Sequence, residues 1–541
     1  MTDTDLERKP FDFSLAVIFF IVVYVAVLVQ TAWMGDDAFI TARSVENFIH
    51  GCGPVYNVDE RVQTFTHPLW FFVISAPYYV IVQLLHLDVY GQYYYLVMGI
   101  SFLFSIATVV LFATRIAKSH LMAILGITVL ILSQAFMDFS TGGLESPLTH
   151  FFIVLFLWGY FDEQWGKKHR LFWLTFLASL AAVNRLDTIL FFLPALVYAF
   201  IRAGGGIRIR VQEMFFGSLP LLLWEIFSVV YYGFPFPNTA YAKLNTGISA
   251  VRLIQQGVYY FLNSLDTDPL TLVVIGGTVL IAISSKERRY WEVLLGVGLY
   301  LLYTLKIGGD FMSGRFFAAP LLISISYLAN RFAFADKGMY ALMLAMLFAV
   351  GISGSYPPLL TDRNYGTGVN DASEWITTQG IANERAYYYQ QTGLLTDTRY
   401  KIFYESPFSG VGWNCQPSIS ITKVVVVGGA GWAGYVQGPE KHVIDRNALV
   451  DPLMARLPVE DVHFWRIGHF HHILPDGYVE TLESGENHFD NPNLWHYYQK
   501  IRVVVSGPLF SRQRWIAIWE LNTGRLDYLL HAYVQEYRAQ H

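Results

Sequence analysis

The chain has 541 residues, of which 54% are hydrophobic, 16% aromatic and only 15% charged. Soluble globular domains carry about 25% charged residues, so the composition excludes an ordinary soluble enzyme and points to a polytopic membrane protein. A formal net charge of −5 offers no basic surface for a nucleic acid. The two cysteines, Cys52 and Cys415, are too few for a zinc cluster or a disulfide framework and leave one optional disulfide if both face an oxidising compartment.

In chain order, Arg8-Lys9 precede an apolar segment of spanning length, Phe13 to Trp33. It lacks the short apolar core and small-residue cleavage site of a signal peptide, which predicts an anchored helix with its N-terminus inside. The segment ends on Gly35-Asp36-Asp37. Beside a hydrocarbon wall the ionised form of a carboxylate is disfavoured, and two adjacent charges push at least one pKa upward. Such a pair suits a general base acting on a hydroxyl. The plainer alternative is a polar stop signal, or an N-cap for a helix over Phe39 to Phe48. The run 67–85 contains His67, Pro68 and Pro77 and reads as interfacial or re-entrant.

Apolar runs of spanning length follow at about 92–114, 119–137, 147–161, 171–184, 188–202, 212–232, 268–284, 290–306, 316–333 and 338–355. If 67–85 does not cross, one side of the membrane collects Arg8-Lys9, Arg115 and Lys118, Lys167, Lys168 and Arg170. It also collects Arg202, Arg208 and Arg210, Lys286, Arg288 and Arg289, and Arg331 with Lys337. The positive-inside rule makes that side cytoplasmic. The expectation is a polytopic α-helical membrane domain over 1–355 with about 11 transmembrane helices and a catalytic first outer loop, 35–66. From Tyr356 the composition turns mixed and Gly/Pro-punctuated, with β-type runs at Val424 to Val427 and Ile501 to Val505. Residues 356–541 therefore predict a soluble α/β domain outside the membrane, long enough for its own core.

The outer side holds the unusual residues: Asp36-Asp37, Thr141 to Glu145, Asn184-Arg185-Leu186-Asp187, Phe234 to Lys243, and Gly308 to Arg315. Acids, a lysine and arginines gathered on one face predict an active site; the alternative is that outer loops are polar in any case. Arg315 and Lys243 suit phosphate recognition by a guanidinium fork and an ammonium point charge, against the common alternative of interfacial snorkelling. Gly308-Gly309 would let backbone approach a ligand closely. Gly429 to Gly434 match GxGxxG after a hydrophobic strand, but outside the membrane they read as turn and packing rather than a dinucleotide site. His469, His471 and His472, like His67 and His463, lack a zinc-type partner spacing. No metal or other cofactor is expected, although Asp36, Asp37 and Asp310 could hold a divalent cation through oxygen ligands.

Several of these stretches resemble the mycobacterial and corynebacterial AftB-type arabinofuranosyltransferases. They are Gly35-Asp36-Asp37, Gly51 to Arg61, Gly143-Leu144-Glu145, Pro237 to Ala240 and Gly308 to Arg315, and in the tail Gly380 to Arg385, Asp451 to Leu453, Arg456 to Pro458 and Gly468 to Phe470. The resemblance covers most of the chain and departs around Thr64 to Pro68, where a segment richer in Asn, Ser and Thr is expected. It implies a GT-C glycosyltransferase using a polyprenyl-phosphate sugar donor, characteristically of D-arabinofuranose, in the bacterial inner membrane, with the active site and the C-terminal domain on the periplasmic side. The acidic pair of the first outer loop, Asp36 and Asp37, is then catalytic, with Asp36, or failing it Asp37, taking the acceptor proton. Arg315, Lys243 and Arg43 bind the donor phosphate; Asp310, Glu145, Asn238, His67 and Arg185 bind sugar or acceptor. The acceptor is a surface glycan, or a pilin-type protein if the chain is closer to the TfpW-type pilin arabinosyltransferases, and the remaining partners are membrane lipids. A lipid-linked sugar transporter or flippase competes with this reading, but would place its charges near the bilayer midplane and show repeated halves; a membrane-anchored assembly protein would leave the acidic pair unexplained.

Overall fold

Most of the apolar runs become helices whose ends are set by caps and prolines. The computed structural model describes residues 14–87, 91–285, 290–333, 336–367, 374–396, 415 and 423–540. Arg8-Lys9, Lys286, Arg288 and Arg289, which enter the loop-charge argument, lie outside these. Helix α1 (Leu15–Thr31) is capped by the Ser14 hydroxyl, which accepts from Val17 N. Helix α2 (Ala38–Ile49) follows the acidic pair, and α3 (Pro68–Tyr79) runs on through a π-helical turn to Leu84. Then come α4 (Gln92–Leu111), α5 (His120–Leu132), α6 (Gln134–Asp138), α7 (Ser146–Phe161), α8 (Arg170–Asn184) and α9 (Ile189–Arg202). The expected run 212–232 is a bent pair, α10 (Ile207–Gly217) and α11 (Leu219–Tyr231), turning by 53°. After α12 (Asn238–Leu244), helix α13 (Ala250–Thr267) meets α14 (Pro269–Ser284) at 109°. Pro220 and Pro269 sit in the first turns of α11 and α14, where a ring without N–H ends the helix before it. The bundle closes with α15 (Trp291–Ile307), α16 (Arg315–Arg331) and α17 (Lys337–Ile352).

Among the described residues one helix, Gln92–Ile116, is long and apolar enough to cross a membrane alone, or up to three if each bent pair is one span. Six further apolar helices are shorter than the roughly 20 residues a bilayer requires. By length and composition the helices thus account for one to three crossings, fewer than the eleven that the loop charges predict. The surface nevertheless carries large exposed apolar side chains, among them Leu15, Leu103, Leu223, Leu280, Leu302 and Leu342, as a helical membrane protein requires.

The C-terminal part contains α18 (Glu384–Thr392), β1 (Val424–Val427), α19 (Trp432–Tyr435), β2 (His442–Asp445), α20 (Tyr478–Ser484), α21 (Pro492–Ser506), α22 (Arg512–Asn522) and α23 (Asp527–Gln540). Strands β1 and β2 pair in parallel, with Val424 opposite His442, and are the only sheet among the described residues. The α/β expectation therefore reduces to one two-stranded sheet within helices. Ile501 to Val505 are not a strand. In α21 the buried Leu494, Tyr497, Tyr498, Ile501, Val504 and Val505 recur at helical spacing, and burial on one face overrides the β-branched composition.

Ile381, Tyr435, Val459, Ile467 and Phe470 share a core with the helices from α1 to α16. A second core joins Leu453, Met454, Tyr478, Ile501 and Ile518 to Phe234 and Ala242. Cys52 and Cys415 are disulfide-bonded, with their Cα atoms 4.6 Å apart.

Candidate active site

The segment leading out of α1 is clamped before it reaches the acidic pair. Trp33 is buried and its indole N–H donates to Asp138 O (2.8 Å), and Gly35 N donates to Gly142 O (3.0 Å). From the C-terminal part, the Thr392 hydroxyl donates to Met34 O (2.8 Å). Gly143 has φ +76, and a Cβ there would lie 2.7 Å from that of Ala38, so only glycine lets the Thr141–Glu145 turn close on the start of α2.

Asp36 and Asp37 then point into different surroundings. One oxygen of Asp36 accepts from Trp432 N at 2.8 Å. A Cβ on Gly431 would lie 1.9 Å from its other oxygen, so the turn after β1 must be glycine for the two regions to meet. Burial, only partly offset by the Trp432 bond, raises Asp36 to about 6, with the neighbouring Asp37 adding to the rise. Asp37 occupies the N-cap position of α2, yet its carboxylate makes no capping bond and, among the described residues, no other hydrogen bond or ion pair. Burial raises its pKa against the pull of Arg315 and Lys243, while Asp310 and Glu145 add to the rise. The N-cap alternative is thereby set aside: an N-cap acts through its side-chain oxygen, and this one is unused.

Glu145, fully buried at the start of α7, is the hub of a charged cluster. One of its oxygens receives Arg185 Nη1 (2.8 Å) and Arg315 Nη2 (3.1 Å); the other faces His67 Nδ1 (3.2 Å). The remaining His67 nitrogen bonds the Thr41 hydroxyl of α2 at 2.7 Å. Arg185 also grips Asp187 at 2.8 Å and lies over the Phe316 ring. Burial alone would raise Glu145, but Arg315, His67 and Arg185 hold it well below the usual carboxylate range. Arg315 reaches Asp310 at 3.5 Å, and Asp310 accepts from Phe311 N at 2.8 Å. The Gly308–Arg315 loop is fixed from below by Tyr260 of α13, whose hydroxyl donates to Met312 O and accepts from Phe316 N. Lys243 reaches solvent from within the crowded site. The protein packed around it lowers its pKa against the pull of Asp310 and Asp37, and no ion pair holds its amine among the described residues.

Eight of the ten expected residues therefore come together: Asp36, Asp37, Lys243, Arg315, Asp310, Glu145, His67 and Arg185. Two do not. The Arg43 guanidinium is buried on the carbonyls of Tyr56, Gly434 and Lys441, leaving no N–H directed at a phosphate. The Asn238 amide N–H group donates to the carbonyls of Ala448, Leu449 and Asp451, which ties α12 to the C-terminal part. Among the described residues no group of three acids, cysteines or histidines could hold a metal ion.

A terminal β-(1→2)-arabinofuranosyltransferase of Mycobacterium tuberculosis is 25% identical, over 83% of this chain and 82% of that one. The chain is similar to terminal arabinofuranosyltransferases. One of the same name from Corynebacterium glutamicum is 26% identical over 68% of this chain, which spans 58% of its length. No family profile and no solved structure matches.

Sequence reasoning missed three C-terminal contributors to the site. Glu384, buried, has its pKa raised well above the usual range by desolvation and by Asp37, and Arg466 stands 3.9 Å from it. His469 packs edge-on against Phe311, 4.5 Å between ring centroids. The only signal was the place of Glu384 and His469 in the tail segments that resemble the arabinofuranosyltransferases, Gly380 to Arg385 and Gly468 to Phe470; Arg466 lies just outside them.

Proposed function

We propose that the chain is a GT-C glycosyltransferase that moves an arabinofuranosyl unit from a polyprenyl-phosphate donor to a cell-surface glycan. Its helices would form a polytopic membrane domain over 1–355, and 356–541 an extracytoplasmic domain on the same side as the site. The observation that carries this reading is the unpartnered Asp37 carboxylate beside the unpartnered Lys243 amine, next to a saturated Glu145 cluster, in a chain similar to arabinofuranosyltransferases. Asp37 takes the proton from the acceptor hydroxyl as the oxygen attacks the anomeric carbon. Asp36, pinned by Trp432 N, places a second carboxylate next to Asp37, and like charges side by side disfavour joint ionisation. The bond from the anomeric carbon to the phosphate oxygen breaks, and polyprenyl phosphate leaves with the electron pair. Lys243 and Arg315 stabilise that charge, so no general acid is required. Glu145 and Asp310 hold Arg315 in place for this task.

The test is purified protein in lipid nanodiscs, with synthetic polyprenyl-phosphate arabinofuranose and either an arabinan oligosaccharide or a pilin peptide. The expected result is release of polyprenyl phosphate with an elongated oligosaccharide. Elongation of the peptide alone would move the acceptor to protein. Movement of the intact donor across a proteoliposome bilayer, with no product, would replace the enzyme by a flippase.

A further inference from the structure

We infer that α22 is a membrane-interface anchor, holding the C-terminal part against the leaflet on the side where the site lies; this rests on reading the chain as a membrane protein. Along α22 the exposed residues Arg512, Trp515, Ile516 and Trp519 fall at i, i+3, i+4 and i+7, a single helical face, and Phe510 precedes them. Phe510 is 78% exposed, Trp515 37%, Ile516 43% and Trp519 49%. A surface that wet the two indoles and a phenyl ring this fully would be costly in water, whereas tryptophans gather at the headgroup level of bilayers.

The opposite face is locked to α11. The buried Arg514 guanidinium donates to Val230 O (2.7 Å) and Tyr231 O (2.8 Å) at the end of α11, and to Val504 O (2.8 Å) of α21. Asn522 donates to Gly233 O at 2.8 Å. Gly233 has φ +86, and a Cβ there would lie 2.2 Å from a Val504 methyl, so the junction has no slack. Helix α11 itself exposes Leu222, Leu223 and Ile226, and α22, with its own apolar face exposed, is bonded to the end of that helix. Charge completes the match. Arg512 and Arg525 are exposed, and Arg525 lies 3.7 Å from the Trp519 ring centroid, an arrangement suited to anionic phospholipid phosphates above buried rings. Aromatic faces also bind sugar rings, but Ile516 in the middle of the face and the attachment of α22 to α11 favour lipid.

The native cysteines are bonded to one another, so an introduced cysteine is the single free thiol of the full chain. An environment-sensitive fluorophore placed at I516C, at I226C on α11 or at N487C on an exposed polar loop is read in phosphatidylcholine–phosphatidylglycerol vesicles containing brominated lipid. The expectation is strong quenching at 226 and 516, at least several-fold above 487, and weaker quenching at 516 when R512E and R525E are added. Quenching at 226 but not at 516 would overturn the anchor and leave the membrane reading standing. No quenching at either would overturn both. Emission at 516 that ignores the bilayer but shifts with soluble arabinan would make the face a glycan-binding surface and overturn the proposal.

Discussion

Glu145 and Asp37 both feel Arg315 and are treated in opposite ways. Glu145 is enclosed by Arg185, Arg315 and His67, and its carboxylate is used up in holding them. Asp37 has no partner among the described residues, and its neighbourhood makes ionisation costly rather than easy. A buried carboxylate held by two guanidiniums and an imidazole is a structural joint; one left unpaired beside an unpaired amine retains basicity that protein contacts have not consumed.

The largest effect that tests this contrast is D37N. The change is nearly isosteric and removes no protein hydrogen bond, so thermal unfolding should hardly shift while kcat falls by about 10²–10⁴, the usual worth of a positioned base. Unchanged turnover with a defined donor would make Asp37 another joint. E145Q should do the reverse first: it withdraws the buried charge that Arg185 and Arg315 share, leaving each with its second acid, Asp187 and Asp310, and unfolding in detergent should register a loss of about 1–3 kcal/mol. R315K keeps the charge but loses the planar fork that spans Glu145 and Asp310; we expect about 10-fold or more weaker donor binding, seen in KM, with the fold intact. The smallest effect is in pH. Raised carboxylate pKa values mean that the base becomes competent only as pH climbs, so kcat/KM should rise along a limb displaced above the ordinary carboxylate range. The same shift works against the fold: the stability that Asp36 contributes is present below its unfolded pKa of 3.8 and is lost as pH rises through about 6. D36N removes a neighbouring negative charge and should move the limb to lower pH; a limb that stays fixed would detach Asp36 from the chemistry.

The helical character and the gathering of the charged motifs were legible because both are written locally, in apolar runs and in short polar stretches between them. What escaped depends on distant packing. The breaks at Ser218 and Asp268 sit beside prolines inside otherwise apolar surroundings, and α13 is amphipathic rather than apolar, so a search for spanning runs passes over it. Ile501 to Val505 are β-branched residues folded into a helix by what they bury. Arg43 and Asn238 sit next to site motifs, but backbone carbonyls from more than 200 residues away claim their donors. The glycines of 429–434 read as turn and packing, which they are; that they pack on Asp36 could be seen only in three dimensions.

The disulfide joins residues 363 positions apart. The second cysteine is not synthesised until every helix from α1 to α18 has been made, so the crosslink can close only after the helical bundle is complete. Its oxidation state is therefore a biogenesis stamp: in a cell making this protein, the oxidised fraction on a non-reducing gel counts the molecules whose chain has passed residue 415 and brought it back to the first outer loop, and chains stalled before that point should stay reduced.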